Sequence, residues 1–523
     1  MTAERTFRQR LLGILGISSM VVMVAIDQTI VSTALPTIVA DLAGFGLYAW
    51  VATAYLLMSV ITIPIFGRLG DFYGRKPLIM IGIVVFALAS LLCAFASSML
   101  FLVFARALQG IGAGMLIGTA FASIPDLFPD PHVRLRWQVV VSSSFGVANA
   151  IGPSLGGFMT HAFGWRSVFY VNIPVGLVGL FIVYRFLPHV RHVERGTGRI
   201  DWLGAALITV ALGSFQLLLQ FVPRSGFTAG VAMLAVVCVA AAVALVWCER
   251  RSEQPLLPLA MFADKKVGSL AVLALFTGFC MFTMLFYVPL MLQGGFGLTA
   301  NESGLLVTPL VVCITFGSIL NGRLVTRIRA PNVMLSAGFA LLTVSFAGMA
   351  MVDIASPRWL IVLCMVLGGV GLGFLVPNLT LFAQESVPRS QLGIVTAMLQ
   401  SVRMIGGMIG TAAVGALVSE LHEGGVHRSA SAASAESLEP RLLDPQILVS
   451  ESARQAFMHD AGAAGVDGAA LIEGARSALT NAIRWGLGAG AVAAMIAVWR
   501  VRAVPLIRLA RRPPTVVVKS DEK

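Results

Sequence analysis

Runs of about twenty apolar residues recur from one end of this chain to the other, and no other feature restricts its fold so severely. A run of that length crosses a hydrocarbon core ~30 Å thick. Inside lipid every backbone N–H and C=O must be satisfied within the protein, so each run is expected to be a helix. Fourteen spans are read, at residues 11–33, 48–66, 78–97, 99–121, 138–159, 168–186, 202–221, 228–248, 267–292, 303–322, 331–352, 358–380, 392–419 and 481–499. With 57% hydrophobic and 12% charged residues, the chain has too little polar surface to coat a soluble globule of its length. The first run follows RTFRQR and continues through Asp27 to Pro36 with no small-residue cleavage site, so it reads as a helix and not as a removable signal.

A net charge of +12 would suit a nucleic acid if it lay on one face, but its distribution follows topology. With the N-terminus inside, most of the 37 basic residues fall in cytoplasmic segments, and only Arg166, Arg224 and Arg358 fall in short outer loops. The positive-inside rule therefore puts both termini in the cytoplasm, and membrane lipid, not nucleic acid, is the expected surrounding partner. The six cysteines sit in or beside apolar runs without a C-x-x-C pair and read as reduced packing residues. No histidine is placed deep in a span and no nucleotide-binding loop is found, so no metal, no cofactor and no ATP use are expected.

Between the second and third runs stands GRLGDFYGRKP, residues 67–77. It gathers Arg68, Asp71, Arg75 and Lys76 into an expected turn, where Gly67, Gly70 and Gly74 permit unusual backbone angles and Pro77 opens the next helix. By spacing alone it is either a gate or a tight loop whose basic residues hold it on the cytoplasmic side. Further blocks follow: AIDQTIVSTALP at 25–36, WVATAYLL at 50–57, RALQGIGAG at 106–114, GVANAIGPSLGG at 146–157 and WRSVFYVNIPVG at 165–176. An internal repeat underlies them. Residues 108–129 align with 367–388, matching Gly110, Gly112 and Gly114 to Gly369, Gly371 and Gly373, and GRL at 67 recurs at 322. Two homologous halves with substrate bound between them follow from such a repeat.

The order and spacing of these blocks closely resemble the drug:proton antiporters of the major facilitator superfamily. RIDWLG at 199–204 and QPLLPLAMF at 254–262, flanking an additional helix pair, resemble its fourteen-helix branch. The resemblance implies an all-α membrane fold: six helices in residues 1–187, a loop and inserted pair in 188–250, six more helices in 251–505 with an outer loop at 420–478, and a cytoplasmic tail at 506–523. It implies a gate role for residues 67–77 and marks Gly146, Gly152, Pro153, Gly156 and Gly157 as an exporter motif. A packing seam is the physical alternative for that motif, since Gly152 and Gly156 stand at small-xxx-small spacing.

Asp27 is the only acid deep in a predicted span, where a carboxylate costs roughly 2.5–3.5 kcal/mol. At ~1.5 Å per residue, Asp27 and Arg106 both fall in the outer half of the membrane and could pair. Burial favours the neutral acid and a nearby guanidinium favours the carboxylate, so their separation would control protonation. A static ion pair joining helices 1 and 4 is the alternative. Met365 stands at the repeat mate of Arg106, which assigns ion chemistry to the first half. The candidate substrate cavity takes in Gln28, Tyr55, Gln109, Asn149, Phe279, Phe286, Tyr287 and Arg403. Phe279, Phe282 and Phe286 share one face of helix 9, which either meets lipid or lines the cavity, and Arg403 has no acid partner that the sequence names. Residues 445–480 have the pattern of an amphipathic helix, with a weakly structured loop as the alternative.

The expected function is proton-driven export of lipophilic, often cationic, small molecules across a bacterial-type inner membrane, by a monomeric unit. A metabolite importer, a membrane-embedded enzyme or receptor, and a tripartite pump with a periplasmic adaptor protein are the alternatives.

Overall fold

A computed structural model describes residues 7–128, 131–187, 201–225, 228–251, 260–324, 332–387, 392–432, 436–443, 446–449 and 451–505. Among them are fourteen helices of fifteen residues or more: α1 (Phe7–Leu42), α2 (Tyr48–Tyr73), α3 (Arg75–Ala94), α4 (Met99–Leu127), α5 (Pro131–Phe163), α6 (Asn172–Phe186), α7 (Trp202–Ser225), α8 (Ala229–Arg251), α9 (Lys265–Leu290), α10 (Ala300–Leu324), α11 (Asn332–Met351), α12 (Arg358–Gln384), α13 (Leu392–Ala432) and α14 (Gly468–Val501). Twelve described helices are long and apolar enough to cross a membrane. The other two, α5 and α7, lie where spans 138–159 and 202–221 were expected, with α7 apolar over Trp202–Leu218. Helix starts are capped where the sequence allows it. Ser98 Oγ accepts from the Phe101 N–H, Asp264 from Lys266 and Val267, and Asp467 from Ala469 and Ala470.

The α2–α3 connection departs from expectation. Gly67 and Gly70 are helical within α2, and the break is Gly74 alone, whose φ of 89° lies in the region that favours glycine. Gly70 serves close packing instead, since a Cβ there would press on Arg75 and Thr119.

The repeat seen in the sequence returns in the way helices touch. In α4, a Cβ on Gly110 would overlap the Tyr55 carbonyl of α2, one on Gly114 would overlap Thr62, and one on Gly112 would overlap Phe86 of α3. In α12, Gly369 and Gly373 stand against the Leu310 and Ile314 carbonyls of α10, and Gly371 against the Gly338 carbonyl of α11. The pairing α2–α4–α3 thus recurs as α10–α12–α11. Lipid gives apolar helices little reason to associate, so such close approaches supply the dispersion contact that holds them.

Two seams join the first six helices to the last six: α5 on α10 and α2 on α13. Helix α7 leans on α2 and α13, and α8 is held through α7, leaving Met233, Val236, Val239, Val243 and Trp247 exposed as lipid-facing side chains would be.

The starts of α1 and α3 and the ends of α4 and α6 lie at one face, called here the terminal face, where Lys76 Nζ donates to the Tyr184 carbonyl at 2.6 Å. The opposite, distal face is closed. Tyr48 Oη donates to the Phe286 carbonyl at 2.7 Å, and Gln293 Nε2 donates to the Thr33 carbonyl at 2.7 Å while its Oε1 accepts from Thr37 at 3.1 Å. Gln293 lies on a π-helical turn, Met291–Gly295, that follows Pro289.

The segment 420–478, expected as an outer loop, carries helices where it is described: α13 continues to Ala432, α14 begins at Gly468, and a short helix spans Glu451–Ala463, inside the stretch 445–480 whose pattern suggested one. The reason is burial. Leu442, Ile447, Leu448 and Phe457 are buried, and the Gln446–Val449 turn packs on α1 and on the π-helical turn, capping the distal face. The tail from 506 lies outside the described residues.

Gly110→Ala is expected to wedge α4 from α2 and cost about 1–3 kcal/mol. Gly322→Ala, where a Cβ meets nothing within 4 Å, is expected to leave stability unchanged or slightly raised. Thermal unfolding of the two variants in detergent tests the contrast.

Candidate functional site

Asp27 lies midway along α1 with no exposed surface. Its Oδ2 accepts from Arg106 Nη1 of α4 at 2.7 Å. Its Oδ1 accepts from Gln109 Nε2 of α4 at 2.7 Å and from Asn172 Nδ2 of α6 at 2.8 Å. Ser90 Oγ of α3 accepts from both amides, at 2.8 and 3.3 Å, and Arg106 Nη1 also reaches Gln109 Oε1 at 2.5 Å. Arg106 Nε donates to the Val51 carbonyl at 3.4 Å, and its guanidinium lies 4.3 Å above the Tyr55 ring. The carboxylate thereby ties α1 to α4 and α6 directly, and to α2 and α3 through Arg106 and Ser90.

Helical spacing explains the convergence. Arg106 and Gln109, three apart, share a face of α4. A carboxylate stripped of water is tolerable only when donors replace the water, and here three N–H groups and a positive charge do so. Asp27 and Arg106 were expected as a pair, and Gln109 and Tyr55, expected as cavity residues, stand beside them. Asn172 and Ser90 were not singled out, although Asn172 stands inside the block at 165–176, where an amide in an apolar stretch was the available signal.

The exporter motif faces two ways. A Cβ on Gly152 would overlap Thr29 of α1, and one on Gly156 would overlap Thr33 and the Ile30 carbonyl. Gly157 instead abuts the Ala300 carbonyl of α10, and Gly304 of α10 abuts the Pro153 carbonyl. Ser154 Oγ and Thr308 Oγ1 share a hydrogen bond of 2.5 Å across this seam. Proline and glycines together let α5 lie close against α1 and α10. In the gate segment, Gly67 sits within α2, and Arg75 and Lys76 open α3 half-buried. The side chains of Arg68, Asp71 and Asn149, and the surroundings of Gly146, lie outside the described residues.

The aromatic face of α9 is turned into the protein. Phe282 and Phe286 are buried and stack at 6.3 Å, while Phe279 is half-buried. This face packs on α13, where Gly407 accommodates the Phe282 ring and Gly410 the Phe279 backbone. Tyr287 Oη donates to the Thr411 carbonyl at 2.7 Å. Arg403 is bonded to Gln400 of its own helix, and no acid partners it among the described residues. Gln28, beside Asp27 in sequence, is buried. A cavity of about 20 Å³ at the distal face is lined by Phe45, Tyr48, Ala49, Tyr287, Gly415 and Ser419 among others. A histidine that the sequence reading did not single out, His422 of α13, three residues past the expected span 392–419, is buried, 1% exposed.

The family model described as Major Facilitator Superfamily matches residues 17–411. The chain is 33% identical over 432 residues to the multidrug transporter protein MdtP of Bacillus subtilis, covering 80% of this chain and 77% of that protein. It is 31% identical over 437 residues to multidrug resistance protein 3 of the same organism, covering 81% and 84%. Among solved structures, a bacterial homologue of the human lysosomal transporter Spinster, in an inward-facing and unoccupied conformation, superposes with a TM-score of 0.66 at 17% identity, covering 96% of this chain and 98% of that one. That likeness speaks to the fold alone. By its family match, its relatives and its apolar helices, this multi-pass membrane transporter belongs to the Major Facilitator Superfamily.

Proposed function

We propose that the chain exports lipophilic, often cationic, drugs or toxic small molecules across a bacterial cytoplasmic membrane in exchange for protons. The Asp27 cluster carries this reading: a fully buried carboxylate held by three donors from two other helices. Relatives named as multidrug transporters support the substrate class. In this reading all fourteen helices cross the membrane, the terminal face is cytoplasmic, and α1–α6 and α9–α14 rock about the two seams while α7 and α8 ride on the α2–α13 seam. The sealed distal face then belongs to a state open toward the cytoplasm, in which ionised Asp27 favours substrate loading. Once the protein has opened to the outside, protonation releases Arg106, Gln109 and Asn172 from the carboxylate and favours return to the cytoplasm-open state, where the proton leaves. No cofactor beyond the proton gradient enters.

The energetics suffice. One charge crossing ~100 mV yields about 2.3 kcal/mol, which at ~1.4 kcal/mol per tenfold sustains roughly a fiftyfold gradient of a neutral solute. The importer alternative predicts that vesicles gain rather than lose substrate under the same pH gradient. The adaptor alternative predicts loss of export when outer partners are removed, whereas the monomeric reading predicts full export by the purified chain in vesicles.

Asp27→Asn is expected to keep substrate binding and insertion but to abolish uphill efflux from reconstituted vesicles, because an amide cannot carry the proton. Full proton-driven efflux by that variant would sink the assignment. Arg106→Ala removes the counter-charge of the buried carboxylate and should shift the pH profile of efflux. Asn172→Val removes one donor and should move it the same way by less, with about 1–3 kcal/mol of stability lost at neutral pH. In an Asp27→Asn background the Asn172→Val shift in pH profile should disappear, which a double-mutant comparison reads directly.

A further inference from the structure

We propose that the distal seal contains a second proton-binding site, the imidazole of His422, and that protonating it releases the seal. The proposal rests on the alternating-access reading above and concerns a group that the Asp27 cluster does not include.

His422 stands three and four residues beyond Ser419 and Val418, both of which line the distal cavity. Its ring meets the edge of Phe45, another lining residue, with centroids 5.8 Å apart. It is 1% exposed, and neither ring nitrogen has a hydrogen-bond partner among the described residues. The charged groups around it are engaged elsewhere or make no ion pair with it. On its own helix are Glu420 and Glu423. On the packed turns, Glu439 meets His427 Nδ1 at 3.0 Å and Arg441 meets Asp460. On α14 are Glu473 and Arg476, whose Nη2 reaches the Leu448 carbonyl. On α1, Asp41 is held by Trp165 and Arg166. The nearby hydroxyls of Tyr48 and Tyr287 donate to the Phe286 and Thr411 carbonyls.

A neutral imidazole can occupy such a niche at modest cost, whereas an imidazolium without counter-charge or water cannot. The sealed state therefore holds His422 neutral. A state in which the seal parts and water reaches the ring binds a proton with the ordinary histidine affinity, near pH ~6.5. Proton binding to the open state alone draws the equilibrium toward it, so external acidification favours opening. The external proton that is to reach Asp27 thereby helps to open its own route.

The test places a cysteine in the cavity wall, Ala412→Cys, ten residues from His422, and measures labelling by a membrane-impermeant thiol reagent from the distal side. Cells are held at external pH 7.5 and 5.5 with the internal pH clamped. The same cysteine in His422→Phe, which fills the niche without titrating, corrects for thiol ionisation at each pH. His422→Asn repeats the comparison should the phenylalanine variant insert poorly. The parent-to-variant labelling ratio is expected to rise about tenfold on acidification, the factor that an ordinary histidine binding only in the open state gives across this interval. A ratio that does not change with pH, with labelling present in all variants, overturns the role of His422 and leaves alternating access standing. No labelling at either pH in any variant, when the denatured protein labels fully, overturns both.

Discussion

A carboxylate without water is the constraint around which the first six helices are arranged. Asp27 has no exposed surface, and removing one partner from a buried ion pair costs about 3–5 kcal/mol. The chain meets that cost by bringing α3, α4 and α6 to the same depth of α1. Ser90 completes the cluster by accepting from both amides, so the donors are themselves positioned before they reach the carboxylate. The second six helices hold a different buried polar contact, the reciprocal Asn321–Asn378 amide pair between α10 and α12. Neutral amides can bind helices without titrating. The two halves therefore share a packing scheme but not a charge.

That shared scheme is built from missing side chains. Wherever α4 crosses α2 and α3, or α12 crosses α10 and α11, a glycine brings backbone against backbone. Contacts of this kind are short-ranged and directionless along the seam, which permits one helix to shift against another without breaking a network. Between the two six-helix sets, the side-chain hydrogen bonds among the described residues are those of Tyr48, Gln293 and Ser154. Firm packing within each six-helix set and sparse polar contact between the sets is the division of strength that a rocking transporter requires.

Much of this was legible in the sequence because lipid leaves few choices. Apolar runs had to be helices, and depth along α1 and α4 alone brings Asp27 and Arg106 to one level. What escaped did so for physical reasons. Phenylalanines that face lipid and phenylalanines that pack on a neighbour look alike in one helix; the deciding residues, Gly407 and Gly410, lie on another. The gate segment was expected to be a turn because of its three glycines, yet only Gly74 needs glycine's backbone freedom. Residues 420–478 have the Ala, Ser and Gly composition of a loop, and their helices exist because a few apolar side chains, Leu448 and Phe457 among them, find burial far away in sequence. Asn172 and Ser90 carry no periodic signal at all.

Helix α13 runs for 41 residues without a proline, about 60 Å at ~1.5 Å per residue. Its first half forms the seam with α2 and supports the α9 aromatics; its far end carries the cap. A continuous helix of this length acts as a lever arm whose fulcrum is the seam, so a small change in tilt within the bilayer is magnified into a larger sweep at the cap. The cap is thus mechanically geared to the centre of the protein, and a molecule that gripped it would load the whole length of the helix.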